Sequence, residues 1–144
     1  MTRERCHHIG LFVRDLKKMD RFYTRHLGFK LERSRMIDQK NIREIFGINS
    51  SCEMRYYALD DLRVEIFCFY DIKLRKYHPE TQGYNHWTLL VDDKDKFCNR
   101  LRRKRIKVLK LIRPQGFTYF IKDPEDNLIE IKEYADTVPF QKKH

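Results

Sequence analysis

The sequence nearly repeats itself. A shift of 78 positions lays His8 on His86, Val13 on Val91, Asp15 on Asp93 and Met19 on Phe97. Further along, Glu65 and Glu130 stand 65 apart, and the 13-position difference is about the size of the segment from 37 to 47. Two copies of one unit, with an insertion in the first, explain both spacings. A single four-stranded unit exposes an apolar face that it cannot bury alone. Two in one chain are therefore expected to place helices outside and leave curved sheets around a cleft.

Each copy reads as the same order of elements. Residues 8–13 are short, apolar and β-compatible, and Asp15 can cap a helix in which Leu16, Met19, Phe22, Tyr23 and Leu27 recur at helical spacing. Gly28 is placed to end that helix in the left-handed conformation. Residues 29–36 form a charged, edge-like strand. Ile37, Ile42, Ile45 and Phe46 then suggest a short helix closed by Gly47, and strands at 54–59 and 62–70 meet at the Asp60-Asp61 turn. A polar linker over 71–83, with Pro79 and Gly83, leads to the second copy. There the strand is 84–91, Asp92 or Asp93 caps a helix carrying Phe97, Cys98 and Leu101, and strands follow at 106–111, 117–122 and 128–134. The predicted fold is α+β: two tandem βαβββ modules, over about 5–70 and 84–134, within a single domain of residues 1–144.

Composition narrows the class. Hydrophobic residues make up 41% and aromatics 13%, with five Gly and four Pro, a globular and not a disordered balance. No run approaches the roughly 18–20 apolar residues of a membrane span, and the opening MTRERCHH has no apolar signal core, so a cytoplasmic protein without membrane partners is expected. The four cysteines are scattered without a C-x-x-C pair. Cys68 and Cys98 sit in apolar patterns, as small core residues do. Lys and Arg number 31 against 21 Asp and Glu, and the net charge of +10 favours anionic partners. The densest run, Arg100 to Arg105, ends a predicted helix, where the helix dipole favours cations. No zinc-finger spacing or helix-turn-helix accompanies it, which argues against nucleic acid and for a small-molecule substrate, anionic if it uses this field.

The chemistry rests on four strand residues, His8, Glu65, His86 and Glu130. Glu65 lies between Val64 and Ile66, and Glu130 between Ile129 and Ile131, and a carboxylate in such a setting needs a partner or a solvated cleft. Two histidines and two glutamates at equivalent ends of repeated units meet that need by holding a divalent metal. Nitrogen and carboxylate ligands without thiolate suit Zn, Ni, Co, Mn or Fe, with one or two positions left for water. His7 is the rival to His8, but the repeat sets it against Asn85, a weaker ligand.

The segments HHIGLFVRDLKKMDRFYTRHLGFKL, LRVEIFCFY, GYNHWTLLVDD and FTYFIKDPEDNLIEIKEY resemble the vicinal oxygen chelate superfamily across residues 7–134. That superfamily includes glyoxalase I, methylmalonyl-CoA epimerase, fosfomycin-resistance enzymes, bleomycin-resistance proteins and extradiol dioxygenases. The resemblance implies a paired βαβββ fold with a metal in the cleft. It also implies ligands at His8, Glu65, His86 and Glu130, as in glyoxalase I-like members. Dioxygenases and fosfomycin-resistance enzymes generally lack a glutamate at the fourth-strand position and the epimerases usually carry Gln there, so Glu65 favours the glyoxalase-like branch. The insertion around IREIFGI occurs in several lyase and epimerase relatives.

The reaction implied is proton abstraction beside a carbonyl through a metal-stabilised enediolate, with Glu130 as the first choice of base and Glu65 the second. His8 and His86 would be fixed ligands. The alternatives are an epimerase of the methylmalonyl-CoA type, a dioxygenase using Fe or Mn, and a non-catalytic small-molecule binding or resistance protein. Phe67, Phe69, Tyr56, Tyr119 and Trp87 supply aromatics near the cleft, half of which alternation must turn toward the helices. Arg43, Arg55 and Arg113 are candidate contacts for an anionic group. Related proteins commonly dimerise, so a homodimer is expected, with the site formed within one chain or from strands of two.

Overall fold

The computed structural model describes residues 6–137, so the first residue of the predicted first module lies outside it. Its contacts divide the chain into two compact units, with the boundary between Lys76 and Tyr77. The first unit runs β1 (His8–Val13), α1 (Leu16–Arg21), β2 (Lys30–Ile37), α2 (Gln39–Phe46), β3 (Cys52–Leu59) and β4 (Leu62–Phe69). The second runs β5 (His86–Val91), α3 (Lys94–Arg103), β6 (Val108–Arg113), β7 (Gly116–Lys122) and β8 (Leu128–Glu133), closed by a 3-10 turn at Tyr134–Thr137. Without α2, the two orders are the same.

The sheets repeat the symmetry. One has the order β1-β4-β3-β2 and the other β5-β8-β7-β6. In each, the first strand runs parallel to the last and the other pairs are antiparallel. Gly10 is in register with Glu65, and Thr88 with Glu130. Both glutamates thus sit two residues along from a histidine, one strand over and on the same face.

The caps repeat as well. Asp15 accepts the backbone N–H of Lys18 at 3.0 Å, and Asp93, 78 positions on, accepts that of Lys96 at 2.8 Å. The first helix nevertheless departs from the regular helix expected through Leu27. After Arg21 it widens into a π turn over Phe22–His26, with the Leu27 N–H reaching the Phe22 carbonyl at 3.2 Å. Thr24 Oγ1 donates to the Asp20 carbonyl at 2.7 Å inside this stretch, a side-chain bond that competes with the regular ladder. Gly28 closes it at φ 84°. Strand β6 starts two residues later than expected because residues 104–106 finish α3: Arg105 adopts φ 62° and the Ile106 N–H returns to Leu101.

Each sheet packs one face on its helix. In the first unit Met19, Tyr23, Leu27, Phe29, Tyr57, Val64 and Ile66 are all buried, and the Tyr23 ring lies 5.5 Å from that of Phe29 and 6.3 Å from that of Tyr57. In the second, Cys98 and Leu101 of α3 are buried, as are Leu89, Tyr119, Ile121, Ile129 and Ile131. The thiols of Cys98 and Cys52 are pushed up to about 11 by burial, as expected of small core residues, whereas Cys68 is half-buried. No helix among the described residues is long and apolar enough to cross a membrane.

The insertion lies on the other face. Asp38 caps α2 by accepting the Asn41 N–H at 3.0 Å, and Gly47 ends it in the left-handed region at φ 70°. Ile42 then anchors the helix in a cluster with Cys52, Met54, Tyr56, Phe67 and Phe69. Alternation puts these sheet residues on the face that carries Glu65.

Candidate functional site

Each unit brings its predicted histidine and glutamate together. In the first, His8 Nε2 stands 3.3 Å from Glu65 Oε2; in the second, His86 Nε2 stands 3.7 Å from Glu130 Oε2. The histidines open β1 and β5, and the glutamates lie on the strands paired parallel to them. Two ligands each about 2.1 Å from a shared ion, at an angle near tetrahedral, are roughly 3.4 Å apart. Both pairs are close to that spacing, and imidazole nitrogen with carboxylate oxygen is a donor set that zinc and its neighbours accept. The donors come as pairs: among the described residues, no group of three or more His, Cys, Asp and Glu is assembled that could hold a metal ion.

The surroundings of the two pairs differ. Glu130 is almost fully buried at 5% exposure and is held by several donors. Thr88 Oγ1 donates to its Oε2 and Thr118 Oγ1 to its Oε1, each at 3.1 Å. The Lys132 ammonium lies 3.6 Å from Oε1. Glu65 is more open, with 17% of its side chain exposed, and it pairs with His8. Beside it the rings of Phe12, Phe46, Phe67 and Phe69 meet edge to face, with centroids 4.9 to 6.0 Å apart. Phe12 and Phe46 keep 40% and 38% of their surface exposed, so this aromatic shelf is open to an apolar ligand.

The strand partners of the two glutamates are also alike in place. Tyr56 is in register with Glu65 and Phe120 with Glu130, and each ring lies near its unit's histidine, at 6.3 Å for His8 and 5.8 Å for His86. Tyr56, Phe67 and Phe69 are therefore on the glutamate face, as three of the five expected aromatics. Tyr119 faces the helix side instead, where its hydroxyl is bonded to Asp95 and that bond raises its pKa. Trp87 alternates away from His86 and Thr88.

Arg55 lies on the face away from Glu65. Its Nε donates to Glu53 at 2.8 Å and its Nη1 to Asp20 at 3.2 Å, and the same Asp20 oxygen accepts the Tyr57 hydroxyl at 2.7 Å. The guanidinium joins a network on the helix side of the sheet. Lys132 went unnoticed in the sequence, although its place two residues after Glu130 on a strand puts it on the same face. Thr88 and Thr118 were missed too, because a strand threonine looks like any β-former until its neighbour is known.

Residues 5–131 match the family model of the Glyoxalase/Bleomycin resistance protein/Dioxygenase superfamily. No curated protein sequence matches the chain. Among solved structures, it is similar to the trypanothione-dependent glyoxalase I of Leishmania major at 20% identity and a TM-score of 0.68, with 93% of this chain and 89% of that one covered. A glyoxalase family protein from Enterococcus faecalis is also 20% identical, at a TM-score of 0.72, with 89% of this chain and 96% of the other covered. An antibiotic-binding protein from Streptomyces sp. CB03234 is 19% identical at a TM-score of 0.64, with 92% and 98% covered. At these identities the likeness is one of fold. The family match is a match of sequence as well, and it takes in both units up to the middle of β8: the chain belongs to the Glyoxalase/Bleomycin resistance protein/Dioxygenase superfamily.

Proposed function

We propose that the protein is a metal-dependent lyase or isomerase of the glyoxalase I kind, which moves a proton on the carbon beside a carbonyl. The observation that carries this reading is the duplicated pair, His8 with Glu65 and His86 with Glu130, each at the spacing of two ligands on one ion. In this reading the four side chains share one divalent ion (Zn, Ni, Co, Mn or Fe), the pairs coming from one chain or from two copies in a homodimer. The whole of residues 1–144 then works as a single domain. When bound, the ion supplies a Lewis acid that polarises the substrate carbonyl and offsets the negative charge that develops on its oxygen.

The chain's own residues divide the remaining work. His8 and His86 hold fixed positions at the strand starts. Thr88, Thr118 and Lys132 orient Glu130 and restrain it. Glu65 has fewer restraints and is the carboxylate more able to swing, so it joins Glu130 as a candidate base, each needing to come within about 3 Å of the proton it takes. The proton leaves the substrate carbon for a carboxylate oxygen and returns from there to the neighbouring carbon or to the opposite face. The aromatic shelf beside Glu65 fits an apolar part of a small substrate, and Lys132 fits an anionic one.

A second reading has its own support. The exposed rings of Phe12 and Phe46, and the fold shared with an antibiotic-binding protein, suit a small-molecule binder without catalysis. Metal analysis separates the two. Protein purified without added metal, or reloaded afterwards, is expected to hold about one divalent ion per four-residue site. His8→Ala and Glu130→Ala should each lose it, and wild type should exchange the carbon-bound proton of an α-hydroxy ketone for deuterium. Wild type that takes up no ion under any loading would overturn the enzyme reading and leave the binder.

A further inference from the structure

The residue before each histidine repeats a contact that the sequence hides. His7 and Asn85 are 78 positions apart, the same shift that relates His8 to His86. Along a strand, neighbours point to opposite faces. His7 and Asn85, however, lie just outside β1 and β5, and both side chains turn back onto the ring that follows. His7 Nδ1 lies 2.9 Å from His8 Nδ1, and Asn85 Oδ1 is hydrogen-bonded to His86 Nδ1. Two chemically different residues thus meet the same ring nitrogen at the same place in the two units.

The direction of this contact decides which nitrogen is free. A neutral imidazole has one N–H and one lone pair, and an amide oxygen only accepts. With Asn85 Oδ1 accepting, the His86 proton is on Nδ1 and the lone pair is on Nε2, the atom facing Glu130 Oε2. In the first unit the equivalent arrangement has His8 Nδ1–H donating to His7 Nδ1, with His8 Nε2 facing Glu65 Oε2. His7 then carries its own proton on Nε2, and the Tyr56 hydroxyl lies 3.4 Å from each of its ring nitrogens. With that arrangement a nitrogen lone pair faces a carboxylate oxygen in each unit. Two acceptors at such a distance repel unless a proton or a metal ion lies between them.

We propose that His7 and Asn85 are positioning residues, which fix the orientation and tautomer of His8 and His86 so that each Nε2 is ready to bind the metal. The proposal rests on the metal-site reading above, deepening it by two residues that hold no metal themselves. Asn85 does so with a group that cannot titrate, and His7 with a ring that can act as either donor or acceptor.

The test uses the full chain in two stages. In metal-free protein at pH 8, nitrogen NMR of the histidine side chains should show His86 as the Nδ1–H tautomer. Asn85→Leu should shift it toward the Nε2–H form, whereas Asn85→Asp, which keeps an acceptor oxygen, should not. Zinc titration against a competing chelator should then show affinity falling about 10- to 100-fold in Asn85→Leu and His7→Leu. Asn85→Asp and His7→Asn should restore it, the latter by placing the second unit's residue in the first. Asn85 and His7 are exposed, so these replacements are compatible with folding. An unchanged tautomer in Asn85→Leu, or equal zinc affinity in all variants, would overturn the proposal. Wild type that binds no zinc would defeat the metal reading itself, and the tautomer measurement, made without metal, still decides the positioning role.

Discussion

The two units share a ladder and differ in what surrounds its carboxylate. Gly10 and Thr88 are the register partners of Glu65 and Glu130. Phe67 and Lys132 stand two residues after those glutamates, and Met54 and Thr118 two residues before their partners Tyr56 and Phe120. At three equivalent places the first unit therefore has glycine, methionine and phenylalanine where the second has threonine, threonine and lysine. A carboxylate as deeply buried as Glu130 needs donors, and it has them. Glu65 lies among apolar groups, is less buried, and has α2 beside it to shield the cluster. The duplicated framework keeps the His–Glu pair constant while its neighbours diverge, one side toward an apolar shelf and the other toward a polar clamp.

The comparison can be broken most forcefully at Ile42. Its side chain is fully buried and pins α2 to the Glu65 face, which has no counterpart in the second unit. Ile42→Ala should cost about 2–5 kcal/mol through lost burial and the cavity left behind. Urea denaturation would give the magnitude. Amide exchange should accelerate in α2, β3 and β4 while β7 and β8 keep their protection. Equal acceleration in both units would show that the two faces are not independent.

Thr118 probes the other side. Its hydroxyl donates to Glu130 Oε1 and lies 3.3 Å from the Ile131 carbonyl, and the residue is 4% exposed. Thr118→Val keeps the shape and removes a donor from a buried carboxylate, at about 1–3 kcal/mol. The same thermal or urea measurement checks it. Combining it with Glu130→Gln should give less than the sum of the two losses, because the residues act on one another. Full additivity would mean that the hydroxyl does not hold the carboxylate.

Much of this architecture was legible in the chain. The shift of 78 positions anticipated not only His8 and His86 but the two helix caps, and both caps form. The order of the elements follows from turn residues and periodicity, which act locally. The members of the two His–Glu pairs were legible because the repeat aligns the histidines and a glutamate within an apolar strand stands out. What surrounds them was not: that α2 lies on the glutamate face depends on where Ile42 finds a cluster, and no local signal fixes that. Lys132 and Thr118 were hidden for a related reason, since their roles exist only once β7 and β8 are in register. In the sequence His7 reads only as a rival ligand to His8, since alternation along a strand says nothing about a residue just before the strand begins.

The smallest effect expected concerns acid, and it too should distinguish the units. The Asn41 N–H bonded to Asp38 holds that carboxyl below its ordinary value of 3.8, and Asp38 caps the helix that the second unit lacks. A carboxylate whose folded pKa is depressed lends stability that is complete above the unfolded value and is lost as pH falls through the folded one. Between about pH 5 and pH 2, α2 should therefore loosen and its amides exchange faster than their intrinsic rates explain. Asp38→Asn separates the cap from its charge, because asparagine caps helices about as well and does not titrate over this range. In that variant α2 should keep its protection at neutral pH and lose less of it in acid. If the variant and the wild type show the same acid response, the loosening comes from elsewhere, and the Ser51 N–H bonded to Asp71, which lowers that carboxyl in the same unit, becomes the contact to test.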